Sequence, residues 1–338
     1  MAANDRAIVV GVKDYPALGN LDGPENDAKD FEQWLLDPQG GDVPADNIKR
    51  ILSSDFAVTA DPLDAEPTTI RLERAFDTLY DLGNTNGGKA GRRLYIYLAG
   101  HGFAPSLEDA ALLMANAARG KSGHHISGKT YANWFKQSAF FDEVVLFMDC
   151  CREHSARAGV RPTPYDAIVA GAPARHLYGF ATEWSRASRE RPIGAGGAVR
   201  GLFTTALLAG LRGGAPRDAA GQVTAETLAD FVHSYLPELT DKYGAERQDP
   251  EFSFYKVAPI VFSTVPPVLF HLRVTLAGAN VGTVPNLLDG SYQAVDGNKT
   301  DPALWEWDVP TGMYKIQVNG TSQVLELLGA GRIVDVTL

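Results

Sequence analysis

Two adjacent cysteines, Cys150 and Cys151, are the only thiols in this 338-residue chain. They follow the apolar run EVVLFMD at 143–149. Adjacent cysteines pair with each other only in a strained ring, so a disulfide-stapled secreted fold is not expected. A thiol close to an imidazole can act as a nucleophile, and His101, flanked by glycines, ends another apolar run fifty residues upstream. These residue types predict nucleophilic catalysis.

The elements around these residues read as strands alternating with helices. Buried-strand patterns occupy residues 7–12, 47–52, 92–99 and 143–149, and helical apolar stripes occupy 26–36, 68–80 and 127–135, the last with Ser127 as N-cap. Apolar strands separated by helices predict an α/β fold of three layers, α/β/α, with a mostly parallel sheet. Ligands bind at the carboxyl ends of such strands. Both polar motifs, AGHG and DCCR, fall at that edge.

Two kinds of pattern fill the rest of the chain. Strand and helix signals continue through 166–172, 201–211 and 224–236, and 256–262 is predicted as the last strand of the sheet. Beyond the proline-containing segment 263–267, apolar residues recur at every second position, which predicts a small all-β, sandwich-like domain. We therefore expect one domain over 1–264 and a β-rich accessory domain over 268–338.

Composition and charge exclude several classes of protein. The chain is 45% hydrophobic and 21% charged, as expected of a globular protein. Its net charge of −10 argues against a nucleic-acid partner. The N-terminal apolar run is six residues long, and no later run approaches the length of a membrane span. We expect a soluble, cytoplasmic protein with no membrane partner.

Several motifs together resemble those of the caspase and metacaspase family of cysteine proteases, its prokaryotic members in particular. YIYLAGHG is similar to the His-Gly element of that family, and LFMDCCRE is similar to its Asp-x-Cys element. GVKDYPALGNLDGPENDAKDF resembles the segment in which an Asn-Asp pair opens the first helix. GLFTTALLAGLRGGA, GQVTAETLADFV and RQDPEFSF resemble the small-subunit half. The resemblance covers residues 7–262 in order and implies a caspase-like peptidase with large- and small-subunit-like parts at about 1–155 and 165–264.

The resemblance implies a role for each motif residue. Cys151 aligns with the nucleophile, because Asp149 then stands two residues before it, and Cys150 becomes a packing residue. His101 is expected to act as general base toward the thiol and as general acid toward the leaving amine. The backbone N–H groups of Gly102 and Cys151 are expected to stabilise the oxyanion.

Substrate preference follows from the acidic positions. Metacaspases carry acidic residues where this chain has Asp27 and Asp149, so the resemblance places both in the P1 pocket. Two carboxylates in a closed pocket suit a guanidinium, which pairs with them in bidentate fashion. We expect cleavage of protein or peptide substrates after arginine, with lysine second.

Two arginine-rich stretches, 152–164 and 185–201, are predicted as long exposed loops, where this family is often processed. An enzyme that cuts after arginine can cut there itself, or an upstream protease can do so. A zymogen activated by such cleavage is expected, with these candidate processing sites: Arg157, Arg161, Arg186, Arg189 and Arg191.

No metal or other cofactor is expected. After GHG the chain offers only Glu108 and Asp109, where many metacaspases carry an aspartate-rich run that resembles a calcium site, so calcium activation is not indicated. Residues 123–130, GHHISGKT, match the phosphate-loop pattern, but no strand is predicted to lead into them. His124 and His125 lack a completing ligand set and are predicted as solvated loop residues.

An alternative function of another class is a catalytically silent, caspase-like scaffold that only binds a partner. Retention of both His101 and Cys151 argues against it, because a binding module has no need of the pair. The resemblance also implies a role in a bacterial defence or cell-death pathway.

Overall fold

The computed structural model describes residues 3–153, 158–166, 172–184, 186–193, 197–263, 269–290, 292–310, 312–327 and 333–338. The chain divides into two compact units. One comprises Met1–Thr205 and Leu236–Ile260, and the other comprises Ala206–Tyr235 and Val261–Leu338. The domain limits inferred from the sequence, 1–264 and 268–338, stay a prediction.

The described residues form these helices: α1 Pro24–Leu36, α2 Thr69–Thr85, α3 Gly128–Ser138, α4 Leu202–Ala209 and α5 Ala225–Lys242. Short 3₁₀ turns occupy Ala45–Asn47, Ser53–Asp55 and Gly278–Asn280, and a π-helical turn, Gly210–Gly214, follows α4. Proline in the first turn of α1, with Glu25 and Asp27 beside it, suits the free N–H groups there. No helix in the described part of the chain is long and apolar enough to cross a bilayer.

The strands follow in chain order: β1 Arg6–Gly11, β2 Ile48–Leu52, β3 Arg93–Ala99, β4 Gly102–Ser106, β5 Asp109–Leu113, β6 His125–Ser127, β7 Glu143–Asp149, β8 Arg175–Phe180, β9 Glu190–Ile193, β10 Ala198–Gly201, β11 Val223–Thr224, β12 Glu251–Phe254, β13 Val261–Ser263, β14 Leu269–Thr275, β15 Asn286–Leu288, β16 Ala294–Val295, β17 Asn298–Asp301, β18 Leu304–Pro310, β19 Gly312–Val318, β20 Thr321–Leu327 and β21 Ile333–Thr337.

The first unit is built on a six-stranded sheet in the order β12-β8-β7-β3-β1-β2. The five strands from β8 to β2 are parallel, and β12 pairs antiparallel at the edge. The predicted mostly parallel sheet is confirmed. The prediction of 256–262 as its last strand is wrong, because β12 takes that place and β13 pairs with β11 in the second unit. Pro259 interrupts the apolar run and cannot donate to a ladder.

Both faces of this sheet are covered, which confirms the three-layer prediction. On one face, alternate strand residues such as Val10, Ile96 and Leu146 pack in one cluster with Phe76 of α2 and Phe135 of α3. The opposite face carries β3 aromatic side chains against α1. Phe31 stacks on Tyr97 with ring centroids 4.6 Å apart, and Trp34 meets Tyr95 edge-on. Since successive strand residues point to opposite faces, each strand serves both layers.

The second unit contains two four-stranded sheets, ordered β17-β18-β14-β21 and β16-β15-β19-β20. Most neighbours are antiparallel, and β14 with β21 is a parallel pair. Residues of both sheets share one core, which includes Leu272, Val274, Ile316 and Leu325. The predicted all-β, sandwich-like C-terminal region is confirmed.

Candidate active site

The ends of β3 and β7 lie side by side. Ala99 and Asp149 are partners in the parallel register, and the N–H of Gly100 donates to the Asp149 carbonyl at 3.2 Å. His101 and Cys151 each stand two residues beyond these partners. The parallel sheet thus brings the two predicted catalytic residues to the same edge, although they are fifty positions apart in the chain.

The imidazole of His101 is held by a backbone carbonyl. Its Nε2 lies 2.9 Å from the Gly19 oxygen. A carbonyl oxygen only accepts, so Nε2 carries the hydrogen, and Nδ1 is the unprotonated nitrogen of the neutral ring. The sequence offered no signal for Gly19, because a backbone carbonyl has no side-chain signature.

The Cys151 side chain is half-buried, and its Sγ lies 4.0 Å from the Ser188 carbonyl oxygen. Burial raises the pKa of this thiol, the Ser188 contact opposes that rise, and the charges of Glu153 and Asp149 add to it. The raised pKa favours the neutral thiol over the thiolate. Neither this contact nor the one to Gly19 joins the imidazole to the thiol.

Cys150 faces the opposite way, into the core, and is 1% exposed. A side chain at Gly102 would collide with Cys150 Sγ and with the Ala111 carbonyl, both 2.7 Å from the position of a Cβ atom. Glycine at 102 is therefore required by the close approach of β4 to the residue before Cys151. The oxyanion role of the Gly102 and Cys151 N–H groups stays a prediction.

Arg152 holds the backbone directly after Cys151. Its guanidinium is fully buried, donates to the carbonyls of Thr182 at 3.2 Å and Leu107 at 2.9 Å, and pairs with Glu251. It also lies over the Phe180 ring, 4.6 Å from the centroid. One side chain thus ties three segments to the turn that carries the thiol. In the sequence, Arg152 lies within the motif LFMDCCRE, and nothing there indicated this role.

Two buried carboxylates flank a single glycine beside the cysteine. The Gly201 N–H donates to Asp27 Oδ2 at 2.8 Å, and a Cβ at this glycine would overlap Asp149 Oδ2. Asp149 accepts from the Ser188 hydroxyl at 2.6 Å and from the Thr204 hydroxyl at 2.7 Å. The structure therefore brings together the two acidic residues predicted for the P1 pocket, which lie 122 residues apart in the chain.

Asp27 and Asp149 form an acidic cluster that has too few hydrogen-bond donors around it to satisfy every carboxylate oxygen. Asp27 Oδ1 is buried without a hydrogen-bond partner among the described residues. Burial, and then the charge of Asp149, hold the pKa of Asp27 well above its usual range. Burial also raises the pKa of Asp149, against the hydrogen bonds from Ser188 and Thr204. The charge of Glu190 raises both values, which adds a third carboxylate that the sequence did not single out.

The segment that carries several candidate processing sites lies over the cysteine and the acidic cluster. Besides Ser188, it includes Glu190, whose carboxylate accepts the N–H of Gly23 at 3.0 Å. The prediction of a long exposed loop over 185–201 is wrong for β9 and β10, which pair as an antiparallel hairpin. Contacts of this kind between distant residues leave no local pattern in the sequence.

The candidate arginines differ in their surroundings. Arg157 lies outside the described residues. Arg186 is exposed. Arg161 pairs with Glu73 at 2.7 Å, Arg189 pairs with Glu246, and Arg191 donates to the Glu190 carbonyl at 2.9 Å.

Two other sequence features take structural roles. Asp109 is buried and accepts from the Lys129 N–H at 3.0 Å and the Thr130 hydroxyl at 2.7 Å, so it caps α3. Ser127 stands at the N-cap but makes no capping hydrogen bond with its side chain. The prediction of solvated histidines is wrong for His125, which is 3% exposed and whose Nδ1–H donates to the Ser122 carbonyl at 2.6 Å. No group of three or more metal-ligating side chains occurs in the described residues.

The chain matches known proteins over most of its length. The family model described as "Caspase domain" matches residues 4–258. A probable protease from a Desulfuromonadales bacterium is 28% identical over 219 residues, which are 61% of this chain and 26% of that protein. The chain thus spans about a quarter of the length of that relative. The crystal structure of caspase-1 from Spodoptera frugiperda is similar with a TM-score of 0.51 at 12% identity, over 78% of this chain and 90% of that one.

Proposed function

Because the chain belongs to the caspase-domain family of cysteine peptidases, we propose that it is an endopeptidase that cleaves proteins after arginine and, less readily, after lysine. Cys151 is the nucleophile and His101 the general base. The observation that carries the specificity is the pair of buried carboxylates, Asp27 and Asp149, that flank Gly201 beside the thiol.

The reaction proceeds by acyl transfer to sulfur. Cys151 Sγ attacks the scissile carbonyl carbon as its proton passes to His101 Nδ1, and the N–H groups of Gly102 and Cys151 stabilise the oxyanion. The tetrahedral intermediate collapses with cleavage of the C–N bond, and the imidazolium returns the proton to the leaving amine. Water, deprotonated by the same imidazole, then hydrolyses the thioester and regenerates the thiol.

The Gly19 carbonyl supports this assignment. It accepts the Nε2 hydrogen of His101, which leaves Nδ1 to take the thiol proton. It also accepts a stronger hydrogen bond once the ring is charged, because a charged donor strengthens a hydrogen bond. A carboxylate is therefore not needed as a third member.

The acidic cluster supports cleavage after a basic residue. Burial disfavours charge on Asp27 and Asp149, and the charge of Asp149 raises the pKa of Asp27 further. A guanidinium removes that penalty and supplies donors to the partnerless Asp27 Oδ1. The planar fork of a guanidinium can pair with two acceptors at once, whereas a lysine ammonium is a single point charge.

A panel of fluorogenic peptides that differ only at P1 tests the proposal. We expect the kcat/KM to be highest for arginine and lower for lysine. Citrulline, which keeps the shape of arginine without its charge, is expected to lose roughly a hundredfold or more. Addition of EDTA is expected to leave these values unchanged. Highest activity on P1 aspartate would show that the specificity assignment is wrong.

Activation by cleavage in the arginine-rich segments is part of the proposal. Residues 186–193 lie against both Cys151 and the acidic cluster, so a cut there changes how the substrate reaches them. Among the described candidate sites, Arg186 is exposed and the others have ion-pair or carbonyl partners. We expect Arg186 to be cut before Arg161, Arg189 or Arg191.

Intact-mass and N-terminal sequencing of the incubated chain check this order. The Cys151→Ala chain, incubated with a trace of wild type, separates self-processing from cleavage by another protease, because it cannot cut itself. A variant with all five candidate arginines changed to glutamine is expected to have at most about a tenth of the processed activity. Full activity of that variant would show that cleavage at these arginines is not needed for activation. A cytoplasmic location stays a prediction from the sequence patterns, and a defence or cell-death role stays a prediction from the family resemblance.

A further inference from the structure

A buried tyrosine, Tyr15, lies beneath His101. The phenol ring is 0% exposed and meets the imidazole edge-on, with centroids 4.7 Å apart. Its hydroxyl accepts the backbone N–H of His101 at 3.0 Å and donates to the Leu113 carbonyl at 2.9 Å. The Leu113 N–H donates in turn to the His101 carbonyl at 2.8 Å. The peptide groups on both sides of the histidine side chain are therefore held.

Gly100 allows this contact. A Cβ atom at residue 100 would overlap the Tyr15 hydroxyl oxygen, and the backbone there has φ of +152°. The glycine before the histidine is therefore needed for the hydroxyl to reach the His101 N–H.

The backbone of the same tyrosine holds the carbonyl that orients the imidazole. The Tyr15 carbonyl accepts the N–H groups of Leu18 at 3.2 Å and Gly19 at 3.0 Å, and its own N–H donates to Asn20 Oδ1 at 2.8 Å. Gly19 adopts φ of +94°, a left-handed conformation that glycine accepts without strain. These bonds close a tight turn whose Gly19 oxygen faces His101 Nε2.

We propose that Tyr15 is a positioning residue of the catalytic site, which fixes the His101 backbone and the Gly19 carbonyl relative to each other so that Nε2 keeps its hydrogen and Nδ1 stays free for the thiol proton. This inference rests on the proposed function of His101. A general base works only when its accepting nitrogen is within reach of the proton, and an imidazole that turns or changes tautomer offers an N–H instead. The hydrogen bond from His101 Nε2 to the Gly19 carbonyl prevents such a change. Tyr15 holds both partners of that bond, because its hydroxyl binds the His101 backbone and its own backbone carbonyl binds the turn at Gly19.

The phenol suits the role chemically. A hydroxyl donates one hydrogen bond and accepts another at the same time, which a phenylalanine ring cannot do. Burial raises the pKa of Tyr15 well above its usual range, so the O–H remains protonated wherever a peptidase assay is run.

Tyr15→Phe tests the proposal, because it keeps the ring and removes only the hydroxyl. We expect kcat on the arginyl peptide to fall by roughly ten- to a hundredfold, with KM within about twofold, since the loss is in alignment and not in the acidic cluster. Tyr178→Phe is the matched control. That residue is 1% exposed, and its hydroxyl donates to Asn133 Oδ1 at 3.1 Å, so kcat is expected to stay within about twofold of wild type.

A second measurement reports on the imidazole without any hydrolysis. Histidine-selective ¹⁵N NMR of the full chain is expected to show the Nε2–H tautomer for His101, assigned by its absence in His101→Gln. In Tyr15→Phe we expect a mixture of tautomers, and in Tyr178→Phe a spectrum like wild type. An unchanged tautomer together with an unchanged kcat in Tyr15→Phe would overturn the proposal.

The outcomes separate this inference from the proposed function. If wild type and both variants fail to hydrolyse the peptide, but the His101 tautomer still differs between wild type and Tyr15→Phe, the result would count against the peptidase and leave the positioning role supported. If Tyr15→Phe does not fold, Asn20→Ala decides. Asn20 is exposed, and its loss frees the Tyr15 N–H and loosens the turn at Gly19. In Asn20→Ala we then expect a smaller change of the same kind in the His101 tautomer and in kcat. Values equal to those of wild type would overturn the proposal.

Discussion

Replacement of Cys151 by alanine is expected to abolish hydrolysis of an arginyl peptide, with kcat/KM falling by roughly 10⁴-fold or more. The reason is the loss of the attacking atom. His101 and the acidic cluster remain, but no thioester can form, and the residual rate comes only from substrate binding and oxyanion stabilisation. Fluorophore release measured over several enzyme concentrations, with active-site titration of the wild type, checks the prediction.

Cys150→Ala is the matched control for this variant. Cys150 is 1% exposed and packs against Gly102, so its replacement removes one buried sulfur atom and leaves a small cavity. We expect a loss of about 1–2 kcal/mol in the free energy of unfolding and a kcat within about threefold of wild type. If Cys150→Ala is inactive and Cys151→Ala retains activity, the alignment of the nucleophile is wrong by one residue.

Substitution of Asp27 by asparagine is expected to lower kcat/KM on arginyl peptides by roughly a hundredfold or more. Asparagine keeps the shape, and its carbonyl oxygen can still accept the Gly201 N–H that Asp27 Oδ2 now accepts. The amide nitrogen then replaces the partnerless Oδ1, so a donor faces the donors of the P1 guanidinium.

Citrulline peptides provide the internal control for this variant. The neutral side chain makes no ion pair with Asp27, so Asp27→Asn is expected to change its kcat/KM by less than about fivefold. A double-mutant cycle over the two enzymes and the two substrates isolates the charge interaction. Asp42→Asn, at an exposed position, controls for the change in net charge. Equal losses on arginine and citrulline would show that Asp27 supports the fold of the pocket and not the P1 charge.

The same substitution is expected to stabilise the free enzyme at neutral pH. The Asp27 carboxyl has a folded pKa raised well above its ordinary value of 3.8, so the folded chain binds more protons than the unfolded chain above that pH. Stability from this group therefore falls as pH rises from about 4 toward the folded pKa. Asparagine does not titrate, so the melting temperature of Asp27→Asn should exceed that of wild type at pH 7 and converge with it near pH 4. A difference that grows toward low pH would contradict this.

Local patterns in the sequence were sufficient for much of the fold. The strands at β1, β3 and β7 are continuous apolar runs, and α1, α2 and α3 carry apolar stripes at helical spacing, so hydrophobic periodicity alone located them. The end of α2 was missed by several residues, because its last turn is polar. The last strand of the sheet was misplaced, since the exposed alternation of β12 is a weaker signal than the apolar run after it.

The motif residues were likewise accessible from the sequence. His101 and Cys151 follow two strands of one parallel sheet, and parallel strands end at a common edge, so their proximity was predictable without coordinates. Asp27 and Asp149 were placed together by the family resemblance, and the structure brings both to Gly201.

Only the tertiary structure supplied the groups that hold these residues. Gly19 acts through a backbone carbonyl and Gly201 through a backbone N–H. Nearly every residue carries these groups, so the sequence does not show which of them take part in the site. Ser188 and Tyr15 are ordinary side chains whose partners lie 39 and 86 positions away. Hydrophobic periodicity shows on which face of its own helix or strand a residue lies. These contacts depend instead on which distant segments meet when the chain packs.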